Sequence, residues 1–149
     1  MKAVIDWQTA MNRYNAYEKS ISGNFTFDPA MNQGYILEND LDAKLYHNNY
    51  SKNKEPVYNV GMTNQLGQKL TGKLQPDYIQ AMKMESPVLF VRWNDDETGL
   101  TYTDIAMPVN DESDAREIAS FYEQKVIAEI KQNGKGRLVK ISKQVINHE

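Results

Sequence analysis

Hydrophobic and polar positions alternate along this chain with two different periods, and the switches between them mark out the elements. Val4, Trp7, Met11, Tyr14 and Ile21 recur near one face at 100° per residue, with Ala10 and Tyr17 flanking. That spacing predicts an amphipathic helix over 6–20, with Asp6 as its N-cap and Ser22-Gly23 closing it. Phe25-Thr26-Phe27 and Tyr35-Ile36-Leu37 then read as two short β-type runs around a turn at 32–34, able to pair as a hairpin. Asn39 or Asp40 can cap a short helix through Leu41 and Leu45, and the polar run YHNNYSKNK over 46–54 reads as an exposed loop. A short strand is expected over 56–60. Gly61, Gly67 and Gly72 interrupt any helix in 61–75, which reads as an ordered loop or twisted hairpin.

The second half carries the stronger pattern. Pro76 opens a helix with Tyr78, Ile79 and Met82 on one face, ending before Ser86-Pro87. Val88-Leu89-Phe90-Val91-Arg92-Trp93 is a nearly continuous run of β-formers, the mark of a central strand covered on both faces. Residues 94–99 form a turn, and 100–107 alternate as the returning strand of a hairpin. Ala115, Ile118, Ala119, Tyr122, Val126 and Ile130 keep a helical period, so one long helix is expected over 113–133, stopped by Asn133-Gly134. Val139, Ile141 and Val145 share one face of a last strand over 137–146.

These elements predict an α+β fold with a mainly antiparallel sheet. The hairpin of 88–107 pairs with the strand of 137–146, and the two longer helices, 6–20 and 113–133, pack on one face. The second arrangement considered is a barrel-like sheet wrapping a helix. With 149 residues and no linker or repeat, 1–149 is expected to be a single globular domain.

Composition narrows the chemistry. The chain has no cysteine, which removes disulfides, zinc–thiolate sites and cysteine nucleophiles together. No apolar run approaches a membrane span, and the first residues lack a signal-peptide core, so a cytoplasmic protein is expected. The net charge of -3 conceals an asymmetry: residues 94–117 hold eight acids against Arg116 alone, and 118–149 hold six bases against three acids. Helix ends account for much of this, because acids favour a helix N-terminus and bases its C-terminus.

The acidic turn resembles a calcium loop only in part. Asn94, Asp96, Thr98 and Gly99 occupy the first, third, fifth and sixth positions of such a loop, but the twelfth is Ile105 where a bidentate glutamate is needed. His47 and His148 have no second ligand at metal spacing, and no phosphate-cradling glycine loop or nucleophile elbow is present. No metal or cofactor is therefore expected.

Three classes of function remain. The preferred expectation is a non-enzymatic interaction protein, an adaptor or inhibitor that binds another protein or itself as a homo-oligomer. Its exposed contacts would be the acidic tip (Asp95, Asp96, Glu97) and the bases Lys135, Arg137, Lys140 and Lys143. Fourteen asparagines and nine tyrosines without cysteine fit a phage or mobile-element accessory protein from an AT-rich genome. The alternative is a small-molecule or nucleotide-binding protein with a pocket of Tyr78, Met82, Arg92 and Tyr102 between the 76–85 helix and the sheet. Third is nucleic-acid binding, with Lys131 joining the basic cluster and Tyr46, Tyr50 and Tyr58 stacking on bases; an acidic pI of 5.4 disfavours it.

Overall fold

A computed structural model describes residues 5–67 and 70–141 of the chain. Helix α1 (Trp7–Glu18) starts where expected, the Asp6 carboxylate accepting a 2.7 Å hydrogen bond from the Thr9 N–H. Strands β1 (Phe25–Asp28) and β2 (Gln33–Tyr35) form an antiparallel hairpin. After α2 (Asp40–Tyr50) come β3 (Val57–Gly61), the two-residue β4 (Gln65–Leu66), a 3₁₀ turn at Gly72–Leu74 and α3 (Gln75–Met82). Strands β5 (Leu89–Asn94) and β6 (Thr101–Val109) make the longest hairpin, followed by α4 (Glu112–Phe121), β7 (Val126–Ile130) and β8 (Gly136–Lys140). Among the described residues all strand pairings are antiparallel, in the order β2-β1-β5-β6-β3-β7-β8, with β4 also on β6.

Strand alternation divides the apolar side chains between two faces. On one, Phe25, Phe27, Val60, Phe90, Ile105, Met107 and Ile127 meet Trp7 and Tyr14 of α1, Tyr78 of α3, and Ala115 and Ala119 of α4. On the other, Val57, Leu89, Ala106 and Ile130 meet Tyr35 of β2 and Ala43, Tyr46 and Tyr50 of α2.

This second face is concave. The Asn59 amide of β3 donates a 2.9 Å hydrogen bond to the Thr26 hydroxyl of β1. Two strands, β5 and β6, lie between them. Three steps of about 4.8 Å would hold the two side chains ~14 Å apart in a flat sheet. Only a strongly curled sheet lets them touch, and α2 lies on the inside of the curl. Strands β2 and β8 end the path and do not pair with each other among the described residues, so the curl there stops short of a closed barrel.

Three expectations need correction. The run over 46–54 is not an exposed loop up to Tyr50, because α2 continues and places Tyr46, His47 and Tyr50 on its buried side with Ala43. The helix expected over 113–133 stops at Phe121: Glu123 takes a left-handed φ of 56°, and Val126 to Ile130 form β7. Strand β8 pairs with β7 and is separated from the β5–β6 hairpin by β3 and β7. Val4, the strand's expected continuation over 142–146, Lys143 and His148 lie outside the described residues.

Under α2 the concave face is unusually polar. Tyr50 donates a 2.5 Å hydrogen bond to the Asp28 carboxylate, whose other oxygen accepts from the Met31 N–H; Asn49 donates to the Tyr35 hydroxyl. Tyr46 is fully buried, and its hydroxyl has no partner among the described residues. Removing an unpaired buried hydroxyl relieves its desolvation cost, so Tyr46→Phe is expected to raise stability by about 1 kcal/mol. Urea unfolding checks this; an unchanged or lower midpoint would show that the hydroxyl is bonded.

Burial also holds the tyrosines protonated. Tyr14 and Tyr78 are each pushed up to about 12, and Tyr46 and Tyr50 well above the ordinary phenol range, by burial first and, for Tyr50, by the Asp28 carboxylate beside it. The folded values lie above the unfolded value of about 10. Their contribution is therefore present below that pH and lost above it, as the unfolded chain releases protons the fold retains. The phenolate absorbance of these buried tyrosines and the loss of circular dichroism should rise together in one steep alkaline transition. Gradual titration of all tyrosines near pH 10 with the fold intact would contradict this.

Candidate functional site

The candidate site is the β7–β8 hairpin, which forms one of the two edges of the sheet among the described residues. Its turn is closed by Gly134 N–H to Lys131 O (2.9 Å) and by Lys135 N–H to the Asn133 side chain (2.9 Å). Gly134 has φ 82°, and a Cβ there would lie 2.6 Å from Lys44 Cγ and 2.9 Å from Asp40 O. Glycine is thus required both by the turn and by its close approach to α2.

Behind the hairpin a chain of polar contacts ties the edge to α4. Arg137 of β8 donates to Glu129 of β7 at 2.5 Å, and the Tyr58 hydroxyl of β3 lies 2.9 Å from the other Glu129 oxygen. The same hydroxyl is 3.2 Å from Glu112 of α4, which accepts from Arg116 at 2.9 Å. One phenolic proton serves two carboxylates, and the shorter contact goes to Glu129. Burial pushes the Glu129 carboxyl up, yet the bonds from Arg137 and Tyr58 outweigh it and hold the group below its ordinary value. Tyr58 is raised, by burial and by both carboxylates. A depressed carboxylate stabilises above its unfolded pKa of about 4.3 and loses that contribution as the pH falls. Glu129→Gln is therefore expected to flatten the acid side of the stability–pH curve, measured by urea unfolding between pH 7 and about 3. An equally steep acid limb in the variant would contradict this.

The hairpin's outward edge is defined by its ladder. Lys131 N–H bonds Lys135 O, and Ile141 N–H bonds Lys125 O, so residues 131↔135 and 125↔141 are hydrogen-bonded pairs. Alternation makes 127↔139 and 129↔137 hydrogen-bonded pairs as well. Gly136, Leu138 and Lys140 consequently turn their backbone N–H and C=O groups away from β7. Leu138 is 70% exposed.

The residues singled out from the sequence are scattered. Asp95, Asp96 and Glu97 sit at the β5–β6 tip, where Asp95 serves the turn by accepting from the Glu97 N–H. The register puts this tip and Lys135 at opposite ends of the sheet, so the acids and that base do not form one surface. Lys131, Lys135 and Lys140 are exposed on the hairpin, and Arg137 is committed to Glu129. Tyr46, Tyr50 and Tyr58, expected as stacking platforms, are buried.

Nor are Tyr78, Met82, Arg92 and Tyr102 brought together. Tyr78 packs on Trp7 and Phe90 and donates to Ile5 O, while Met82 is half-buried at the end of α3. Arg92 is enclosed on the convex face, and Tyr102 stacks on Trp93 on the other. An open hollow of about 640 Å³ beside α3 is lined by Thr63, Asn64, Leu66, Thr71, Lys73, Leu74 and Asp77, none of them among those four.

Among the described residues no group of three or more histidine, aspartate or glutamate side chains is placed to hold a metal ion, and no helix is long and apolar enough to cross a membrane. No protein-family model, curated protein or solved structure matches the chain. Leu138 was not singled out from the sequence. Its signal was there: one large apolar residue on the otherwise polar face of an alternating strand whose other face carries Val139 and Ile141.

Proposed function

We propose that the chain is a non-enzymatic interaction protein that binds through the open edge of its sheet, as an adaptor or inhibitor of another protein or by self-association. The observation that supports this reading is β8 itself, an edge strand among the described residues, with outward backbone groups at Gly136, Leu138 and Lys140 and an exposed leucine among them. Unpaired strand edges bind extended segments by main-chain hydrogen bonds, and the side chains on the added face select the partner. In this reading Lys135 and Lys140 flank the contact and Arg137 holds the strand in place. The cysteine-free, asparagine-rich composition fits a cytoplasmic accessory protein of a phage or mobile element.

The test compares the full chain with Leu138→Asp, an exposed substitution that leaves the core untouched. Light scattering of each purified chain, and of each after mixing with host extract and repurification, should show a stoichiometric complex or self-assembled species for the parent that the variant fails to form. Identical, monomeric behaviour of both would contradict the proposal.

A further inference from the structure

We infer that the partner of the β8 edge is a second copy of this chain, docked antiparallel about a two-fold axis at Leu138. This rests on the interaction reading above and names its partner. A two-fold edge contact pairs a strand with itself, so the position of the axis sets every cross-strand neighbour. An axis at 138 makes 138↔138′ a hydrogen-bonded pair, with 136↔140′ and 140↔136′ as the next such pairs. These are the residues whose N–H and C=O groups point outward, and each pairing exchanges two bonds.

The side chains favour the same register. Leu138 meets Leu138′ on the concave face, and Lys140 lies over Gly136′, which has no side chain to oppose it. On the convex face Arg137, already neutralised by Glu129, is opposite Val139′. Other axes are worse. Centring on 140 sets Lys140 against its own copy, which destabilises a strand pair, and centring on 137 faces Leu138 with Gly136′ in place of a second leucine. Centring on 139 puts Leu138 against Lys140′, and centring on 136 shortens the overlap. The flanking lysines, which ordinarily protect an edge from indiscriminate pairing, here permit one register.

The absence of cysteine gives a direct test. Residue 138 faces itself across the axis at a Cα separation of about 5.5 Å, inside the range a disulfide spans. In the full chain, Leu138→Cys should cross-link to a covalent dimer under mild oxidation at low concentration. Lys140→Cys, whose two copies lie at opposite ends of the pairing, should not. Light scattering of the parent should show a concentration-dependent dimer, lost in Leu138→Asp while its circular dichroism and melting match the parent. Equal cross-linking of both cysteine variants, or a parent monomeric at all concentrations, overturns the self-pairing. If the monomeric parent still forms a stoichiometric complex with a different protein, abolished by Leu138→Asp, the self-pairing fails and the interaction reading stands; with no complex, both fail.

Discussion

Replacing Phe90 with alanine is expected to lower stability by about 3–5 kcal/mol, the range for deleting a buried aromatic ring. Phe90 is fully buried near the start of β5. Its ring meets Trp7 and Tyr14 of α1 edge-on, with centroids 6.0 and 5.7 Å away, and Tyr78 of α3 at 5.6 Å. One side chain therefore joins two helices to the sheet, and the rigid rings around it cannot collapse into the space it leaves. Urea unfolding followed by tryptophan fluorescence measures the loss. A cost below about 1 kcal/mol would mean that this face is loosely packed, against the close packing of protein interiors.

The second large effect is expected at Arg92, which fastens the end of α1 to the sheet. Its guanidinium donates to Glu18 at 2.9 Å, to Ile21 O at 2.5 Å and to Gly23 O at 2.6 and 3.0 Å. It also lies 4.6 Å from the centre of the Phe25 ring. Arg92→Met keeps much of the volume but leaves a largely buried carboxylate and two carbonyls without their donor. Breaking a buried pair on one side costs about 3–5 kcal/mol. Adding Glu18→Gln should recover part of the loss by removing the stranded charge. If Arg92→Met alone were nearly neutral, the pair would be a solvated surface contact. Arg92→Lys should rescue little, because one ammonium cannot reproduce the planar fork.

Arg92 also shows why the candidate site was hard to read from sequence. An arginine within an apolar strand invites a ligand role, yet its partners are Glu18 and the backbone of the α1–β1 connection, which no local pattern reveals. The β5–β6 hairpin was legible from alternating runs around a turn. A hairpin after β1 was legible too, but its second strand is Gln33–Tyr35, with the expected turn residues Gln33 and Gly34 inside it and Ile36 and Leu37 beyond it. Asp6, Asn39 and Asp111 cap helices as their residue types imply. The stretch over 118–130 was misread because its apolar residues at 118, 119, 122, 126 and 130 satisfy a helical period. The break lies in one left-handed residue, Glu123, and in the β-branched Val126 and Ile127 beyond it. Tyr46 and Tyr50 were hidden by the polar residues between them, although four-residue spacing puts both on one side of a helix. The strand order, and with it the place of β8 at one edge among the described residues, depends on contacts distant in sequence and left no local signature.

The most direct test of the proposed edge binding is the hydrogen exchange of the β8 amides, measured residue by residue at several protein concentrations. Arg137 and Val139, bonded to β7, should be slow throughout. Gly136, Leu138 and Lys140 should exchange fast in dilute solution and slow down as the concentration rises and their N–H groups become bonded across the two-fold axis. Fast exchange at these three positions at every concentration, unchanged when the chain is bound to any partner, would contradict the account.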